Sequence, residues 1–298
     1  MKEVAIIGPT ASGKSALALK IAQQTGAFIL SLDSLAIYKK IDIVSAKPSK
    51  KELALVPHFG IDEIYPNEYF SVERFFALYQ NARAHCQKEN RPLIIVGGSG
   101  FYLKALHEGL SPMPHFTQET KQKVQRLLFD ISRAYDFLKK IDPIFTSKIT
   151  PKDRYRIQKG LLIFFETQLP PTRYFGLHPP QPLASLKIFE IDMPREVLRK
   201  RITQRTNQMI QKGLIDEICS LEKEYGRAVT PMKAIGIKET LAYLDGKIKG
   251  VDNLAYQITL HTVHLAKRQQ TFNKTQFSWR ISGSSEEIKE KIEKELAD

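Results

Sequence analysis

Short apolar runs alternate with segments of helical periodicity over the first third of the chain. The apolar runs are residues 4–7, 28–32 and 93–96. Apolar spacing predicts helices over 16–22, from Ser71 to about Lys88, and over 101–110, with Arg91-Pro92 ending the second of these. An alternation of buried strands and helices is typical of a parallel α/β sheet.

This pattern changes at about residue 111. Two proline-rich joints, 111–114 and 178–182, enclose a charged segment whose spacing is helical. We interpret 113–183 as an inserted helical subdomain that moves on these joints. Residues 187–192 then return to the sheet, and helices are predicted over 195–224 and 251–272. The predicted fold is α/β: a P-loop parallel-sheet core, residues 1–112 and 184–298, with an inserted all-helical subdomain.

A glycine-rich segment joins the first apolar run to the first helix. Its sequence is Gly8-Pro9-Thr10-Ala11-Ser12-Gly13-Lys14-Ser15. Strand, turn and helix N-terminus in this order are the setting of a phosphate-binding P-loop, where backbone N–H groups and the helix dipole favour an anion. Lys14 is predicted to reach phosphate oxygens, and the Ser15 hydroxyl to bind Mg²⁺. A glycine turn that merely fits the pattern is the weaker alternative.

The residues after the other two strands bear on which phosphate chemistry follows. The strand 93–96 ends in Gly97-Gly98-Ser99-Gly100, without the carboxylate that an NTPase usually places there, and only Asp33 stands at a comparable position. This favours diphosphate as a leaving group over ATP turnover. We expect Asp33, the P-loop and Gly97–Gly100 to converge on one crevice, with strand 28–32 next to strand 4–7. Locally, Asp33 and Ser99 are equally well explained as helix caps.

The amino-acid composition says less about function than the motifs do. The 298 residues contain 45 Lys and Arg against 32 Asp and Glu, a formal charge of +13, which suits a polyanionic partner but also simple solubility or a lineage bias toward lysine. Cys86 and Cys219 are predicted to be buried apolar residues, and His261 and His264 to be packed or solvated rather than metal ligands. We expect a cytoplasmic monomer without a signal peptide or membrane span.

Five segments, in this order, carry a resemblance to a known family. They are GPTASGKS, DSLAIYKKIDIVSAKPS, GGSGFYLKALHEGLSPMP, AIGIKE and HLAKRQQTF. Together they resemble the tRNA dimethylallyltransferase (isopentenyltransferase) family. The resemblance is to the bacterial type, because the sequence lacks the Cys pairs of the zinc-finger extension that eukaryotic members often carry. The resemblance implies transfer of a dimethylallyl group from dimethylallyl diphosphate to N6 of the adenosine immediately 3′ of the anticodon. Diphosphate leaves, Mg²⁺ is the cofactor, and the anticodon stem-loop of tRNA is the partner.

The resemblance also implies roles for individual residues. The catalytic residues are Asp33, as the base, with Thr10 and Ser99 on the acceptor side. The diphosphate is held by Gly8, Pro9, Thr10, Ala11, Ser12, Gly13, Lys14, Ser15, Arg201 and Arg205. The tRNA is held by Asp33, Ser34, Leu35, Ala36, Ser99, Lys121, Tyr155, Arg156, Ile157, Gln158, Lys159, Lys267 and Arg268.

Three of these positions depart from the family pattern. Thr is common at position 99, Gln at position 36 and Arg at position 121, where this chain has Ser, Ala and Lys. From the residues alone, the two arginines would be assigned to a solvated helix face, and Lys267 and Arg268 equally to a helix C-terminus. A P-loop kinase for a small metabolite and a non-catalytic nucleic-acid binder are the competing functions. The kinase leaves the Gly97–Gly100 segment and the AKRQ residues unexplained, and the nucleic-acid binder predicts that Asp33→Ala leaves all function intact.

Overall fold

A computed structural model describes residues 1–297, and its centre is a six-stranded parallel sheet in the order β3-β2-β4-β1-β5-β6. The strands are β1 (Glu3–Ile7), β2 (Phe28–Ser31), β3 (His58–Phe59), β4 (Leu93–Gly97), β5 (Lys187–Ile191) and β6 (Ile281–Gly283). The predicted α/β class is therefore confirmed, as are the predicted strands at 4–7, 28–32, 93–96 and 187–192.

One expectation about the sheet is wrong. Strand β2 does not neighbour β1, because β4 lies between them: Val96 pairs with Ile6 on one side and with Ser31 on the other. The apolar pattern of a buried strand is the same whether its crossover connection skips a strand or not. Sequence periodicity therefore predicted the strands but not their order.

Fourteen α-helices and one short 3₁₀ helix are formed by residues 1–297. The helices are α1 (Lys14–Thr25), α2 (Lys50–Leu55), α3 (Val72–Glu89), α4 (Gly100–Glu108), α5 (Gln118–Leu127), α6 (Ile131–Ile141), α7 (Pro143–Thr146), α8 (Arg154–Thr167), α9 (Pro171–Leu177), α10 (Arg195–Gln211), α11 (Leu214–Tyr225), α12 (Ile237–Leu244), α13 (Val251–Gln276) and α14 (Ser285–Ala297), with the 3₁₀ helix at Thr230–Lys233.

Two helix predictions are corrected. The stretch 195–224 is two helices, because Gly213 adopts a φ of 96° that ends α10 and begins α11. Helix α13 continues to Gln276 rather than ending near Phe272. Lys267 and Arg268 therefore lie in its interior. The helix dipole acts only within the last turn, so it does not explain these two cations.

The chain divides into two compact units, and the first contains Met1–Leu106 and the chain from Ala184 onward. Helices α1 and α14 cover the sheet through a core that includes Ile6, Ile94 and Ile292. A second apolar cluster joins the segment after β2 to helices α10–α13, with Val44, Met209 and Ile258 among its members. These two cores fix the carboxyl ends of the strands relative to α10 and α13.

The second unit, His107–Leu183, contains the end of α4 and the five helices α5–α9, without a strand. Its core is formed by α5, α6 and α8, with Val124, Leu138 and Ile157 fully buried. Side-chain caps begin helices α5–α8: in α6, for example, Asp130 Oδ1 accepts the N–H groups of Ser132 and Arg133 at 3.0 Å each. This unit is all-helical because its apolar positions follow the helical period throughout.

The cysteines differ from each other. Cys86 is buried in α3, and burial raises the pKa of its thiol to about 11. Cys219 is exposed on α11, so the prediction that it is buried is wrong. Residues 1–297 contain no cluster of three or more His, Cys, Asp or Glu placed to bind a metal. Within the same residues, no helix has the length and apolar character needed to cross a bilayer.

Candidate active site

Three neighbouring strands, β2, β4 and β1, end at one edge of the sheet. Ile7 is in register with Gly97, and Ser31 with Val96. The loops that follow these strands therefore meet there, as ligand sites of open parallel sheets do. A crevice of about 870 Å³ opens at this edge, and helices α10 and α13 complete its wall. The expected convergence of Asp33, the P-loop segment and the 97–100 segment is present.

The β1–α1 loop (residues 8–13) has a backbone that its sequence explains. Gly8 and Gly13 have φ values of 153° and 94°, in the region that favours glycine, and Ala11 between them adopts a left-handed φ of 63°. A Cβ on Gly8 would lie 2.9 Å from Ser12 Oγ. That hydroxyl is buried and has no hydrogen-bond partner within residues 1–297. The loop thus presents backbone N–H groups at the N-terminus of α1, with an unpaired, buried hydroxyl beneath them.

The predicted diphosphate-binding residues of this loop differ in exposure. Thr10, Ala11 and Lys14 line the crevice. Gly8, Pro9 and Ser12 are buried beneath it, whereas Gly13 and Ser15 are exposed at the start of α1. The ammonium of Lys14 donates to the carbonyl of Pro9 at 3.2 Å, which folds the side chain back over the loop.

Helix α10 contributes both predicted arginines. Arg201 Nη1 donates to the carbonyl of Ser12 at 3.4 Å. Arg205, one turn further on, donates from Nη1 to Thr10 Oγ1 at 3.5 Å and from Nη2 to the carbonyl of Ser45 at 3.4 Å. Both guanidinium groups therefore face the β1–α1 loop. Assignment to a solvated helix face is wrong for Arg205, which is half-buried in the crevice, whereas Arg201 is exposed beside the loop.

Positive charge dominates the crevice. Its lining includes Lys14, Arg205, Lys233, Lys238 and Arg268, and the only carboxylate among its lining residues is Asp33. Burial lowers the pKa of Lys14 to about 8; the charge of Asp33 opposes that shift, and Arg205 adds to it. Burial also lowers the pKa of Arg205. Unpaired buried cations are costly, so this surface favours an anionic ligand.

Asp33 is exposed in the crevice and belongs to a turn rather than to a helix N-terminus. Its Oδ1 accepts the N–H groups of Leu35 at 2.8 Å and Ala36 at 3.2 Å. Oδ2 has no hydrogen-bond partner among residues 1–297. One oxygen thus stabilises the turn while the other is available to a substrate. The helix-cap interpretation of Asp33 is wrong, because residues 34–37 form a turn and no helix begins there; its role as a base stays a prediction.

The other members of this turn are placed differently. Ser34 and Leu35 line the crevice. Ala36 is only 4% exposed and packs in the core. Its side chain is therefore not available to a ligand, and the predicted contact of the Ala36 side chain with tRNA is corrected. This alanine packs in the core beneath the turn.

Residues 98 and 99, the β4–α4 loop, form the opposite side of the crevice. Gly98, Ser99 and Gly100 all line it, and Ser99 supplies the loop's single side-chain hydroxyl. A Cβ on Gly97 would lie 2.6 Å from Leu32 Cβ, and one on Gly100 would lie 2.7 Å from Phe272 Cδ1. Glycine is thus required where this loop approaches β2 and α13.

Sequence reasoning assigned no role to Gln269, which belongs to the HLAKRQQTF segment. Gln269 Oε1 accepts the backbone N–H of Thr10 at 2.8 Å, and its Nε2 donates to the carbonyl of Gly98 at 3.0 Å. Arg268 beside it lines the crevice, whereas Lys267 is exposed outside it. Lys233, directly before the AIGIKE segment, and Lys238, within it, were also missed. Only their proximity to a matched motif could have indicated them.

A family model described as IPP transferase matches residues 36–276. The chain belongs to the IPP transferase family. The tRNA dimethylallyltransferase of Sulfurovum sp. (strain NBC37-1) is 52% identical over 294 residues, covering 98% of this chain and 97% of the relative. The family prediction made from the five motifs is confirmed.

Solved structures of the IPP transferase family show the same fold. The full-length tRNA isopentenylpyrophosphate transferase of Bacillus halodurans is 28% identical with a TM-score of 0.73, covering 99% of this chain and 97% of that one. A eukaryotic dimethylallyltransferase, solved acting on tRNA, is 25% identical with a TM-score of 0.84. The match covers 96% of this chain and 74% of the eukaryotic chain.

The second unit carries the remaining predicted residues of this family member. Lys121 is exposed on α5, and Tyr155, Arg156 and Gln158 are exposed on α8. Lys159 is half-buried. Ile157 is fully buried in the core of the unit, so its predicted contact with tRNA is corrected. Its neighbours in sequence point outward because successive helical residues are rotated by about 100°.

Proposed function

We propose that this chain transfers the dimethylallyl group of dimethylallyl diphosphate to N6 of the adenosine immediately 3′ of the tRNA anticodon. One observation carries the proposal: a single carboxylate, Asp33, shares a cationic crevice with the β1–α1 loop and the hydroxyl of Ser99. A diphosphate, a reacting amine and a base therefore have separate places within one cavity.

The β1–α1 loop binds the diphosphate. Its N–H groups and the N-terminus of α1 favour an anion, and Lys14, Arg201 and Arg205 surround the loop. As the C1–O bond breaks, negative charge accumulates on the departing diphosphate. Cations held in a half-buried site stabilise that charge more than water does, which lowers the barrier.

The Asp33 carboxylate accepts the proton that the adenine amine loses as the N6–C1 bond forms. The exocyclic amine is a poor nucleophile because its lone pair is delocalised into the ring, so removal of this proton assists the reaction. Oδ2 is the oxygen for this task, because Oδ1 holds the N–H groups of Leu35 and Ala36. Ser99 and Thr10 orient the amine from the other side.

Mg²⁺ fits the donors that are present. This ion is usually held by one or two carboxylates together with substrate phosphates, and it keeps several waters. The chain offers the Ser15 hydroxyl at the exposed start of α1; the other ligands would be diphosphate oxygens and water, which suits an ion that arrives with the diphosphate. When bound, Mg²⁺ would neutralise charge on the leaving diphosphate. The chain's own residues orient that group and remove the amine proton.

The tRNA contacts of the second unit come from its exposed cations and aromatic rings. Lys121 and Arg156 present exposed cations and Tyr155 an exposed ring, beside the exposed amide of Gln158 and the half-buried Lys159. Cations neutralise backbone phosphates, and an exposed ring stacks on an unpaired base. In the first unit, Ser34, Leu35 and Arg268 receive the anticodon loop, whose target base must leave its stack to enter the crevice. We place this activity in the cytoplasm and assign it to a monomer.

The decisive experiment incubates purified protein with tRNA and radiolabelled dimethylallyl diphosphate, with Asp33→Ala alongside. We expect label in the tRNA with the wild-type protein and its collapse with the variant. A small-metabolite kinase is the alternative that the loop sequence favours. Failure of the wild-type protein to label tRNA, together with formation of ADP from ATP, would replace the prenyltransferase with a kinase.

A further inference from the structure

Gln269 is the only residue whose side chain forms hydrogen bonds to both the β1–α1 loop and the β4–α4 loop within residues 1–297. Its Oε1 accepts from Thr10 N–H at 2.8 Å, and its Nε2 donates to Gly98 O at 3.0 Å. No direct hydrogen bond joins residues 8–15 to residues 98–100 in the same part of the chain. Beyond the last paired residues of β1 and β4, this amide is the polar link between the two loops.

An amide can form this pair of bonds, whereas a carboxylate or an ammonium group cannot. The β1–α1 loop offers a donor, the N–H of Thr10, and the β4–α4 loop offers an acceptor, the carbonyl of Gly98. A glutamine carries one acceptor and two donors at the end of one flexible side chain, whereas a carboxylate only accepts and a lysine only donates. The geometry is therefore specific for glutamine among side chains of this length.

Gly98 is adapted to this amide. A Cβ at position 98 would lie 2.3 Å from Gln269 Nε2, which is closer than atoms can approach. One turn further along α13, the ring of Phe272 occupies the equivalent space beside Gly100, 2.7 Å from a Cβ placed there. Gly98 and Gly100 thus allow α13 to pack closely against this loop. The close packing brings the Gln269 amide within hydrogen-bond distance of the Gly98 carbonyl.

We propose that Gln269 is a positioning residue, which sets the distance between the loop that holds the diphosphate and the loop that holds the acceptor amine. The inference rests on the proposed function, because it assigns the diphosphate to the backbone of the β1–α1 loop and the amine to Ser99 of the β4–α4 loop. In that proposal the Thr10 hydroxyl also directs its hydrogen-bonding capacity toward the amine. Transfer requires C1 and N6 to be about 3–3.5 Å apart, and a misplacement of about 1 Å costs on the order of 100-fold in rate.

The kinetic test compares Gln269→Ala, Gln269→Glu and the control Gln270→Ala. Gln270 neither lines the crevice nor forms a side-chain hydrogen bond within residues 1–297. We expect kcat to fall about 100-fold for both Gln269 variants, while KM for dimethylallyl diphosphate changes by less than about threefold, because the phosphate contacts are intact. The Glu variant should be as slow as the Ala variant, because its second oxygen faces the Gly98 carbonyl. Wild-type kcat in either variant would overturn the proposal.

A double-mutant cycle with Gly98→Ala gives a readout that a general loss of stability does not mimic. In the wild-type background the added methyl displaces the amide, so kcat should fall about as far as in Gln269→Ala. In the Gln269→Ala background the space is empty, and the methyl should cost less than about threefold more. If the two losses simply multiply, the two residues act independently and the proposal is wrong.

Amide hydrogen exchange tests the contact without any activity. The N–H of Thr10 donates to Gln269, so its protection should be lost in Gln269→Ala and kept in Gln269→Glu and Gln270→Ala. Unchanged exchange at Thr10 in the Ala variant would overturn the contact itself. This readout stays valid if the wild-type protein fails to prenylate tRNA, so failure of the proposed function and failure of the link are distinguishable.

Discussion

Glu217 Oε1 on α11 accepts the backbone N–H of Val44 at 3.0 Å, across 173 residues of sequence. Its Oε2 accepts the N–H groups of Asp42 and Ile43 at 2.9 and 2.7 Å. One carboxylate thus holds three consecutive amides of the segment that leads to Ser45, whose carbonyl receives Arg205. Glu217 fixes one wall of the crevice from outside it.

Replacing Glu217 with alanine should lower the free energy of unfolding by about 1–3 kcal/mol, because the three amides lose their acceptor. Activity should fall as well, since the carbonyl that receives Arg205 is no longer fixed. Denaturant unfolding measures the first effect. Ser220→Ala, on the exposed face of the same helix, is the control and should stay within about 0.5 kcal/mol of the wild-type protein. Equal stability of the two variants would contradict the role of Glu217.

Asp33→Asn should lower kcat by about 10²–10⁴-fold while the protein stays folded. The amide oxygen of asparagine still accepts the N–H groups of Leu35 and Ala36, so the turn is preserved and only the base is lost. Single-turnover labelling of tRNA measures the rate, and thermal unfolding checks the fold. A kcat within threefold of the wild-type value would exclude Asp33 as the base.

Diphosphate binding should weaken as the pH rises through about 8. Burial lowers the pKa of Lys14 to about 8, so its ammonium is charged below this pH and neutral above it. Titration calorimetry with inorganic diphosphate between pH 7 and 9 measures the affinity. The control is Lys14→Arg, whose guanidinium stays charged over this range and which corrects for ionisation of the diphosphate itself. Parallel pH profiles for the two proteins would show that Lys14 does not contact the ligand.

Neighbouring residues of α8 should separate stability from tRNA binding. Ile157→Ala removes a fully buried side chain and should cost about 2–5 kcal/mol of unfolding free energy. Arg156→Ala should leave stability within about 0.5 kcal/mol, because its ion pair with Asp153 is solvent-exposed. Filter binding of tRNA over a salt series should show weaker affinity and a shallower salt dependence for Arg156→Ala. An unchanged salt slope would remove Arg156 from the interface.

Much of the fold and part of the candidate site could be predicted from the sequence. The strands at 4–7, 28–32, 93–96 and 187–192, the inserted helices and the convergence of three loops follow from local patterns that the structure contains. The burial of Ala36 and Ile157 was not predictable from their motifs, because a matched segment says which residues occur together and not which side chain faces the core. The roles assigned to Lys14, Ser15 and Ser99, and the binding of Mg²⁺, stay predictions.

The sequence by itself determined the local geometry and the family. A glycine turn between a strand and a helix is specified by residues that are neighbours in the chain, and the same is true of helical period and caps. Tertiary structure alone decided that β4 lies between β1 and β2, and that Gln269 joins Thr10 to Gly98. The Thr10 and Gln269 partners are 259 residues apart. Such a contact depends on how α13 packs over the sheet. The sequence near Thr10 and the sequence near Gln269 do not contain that information.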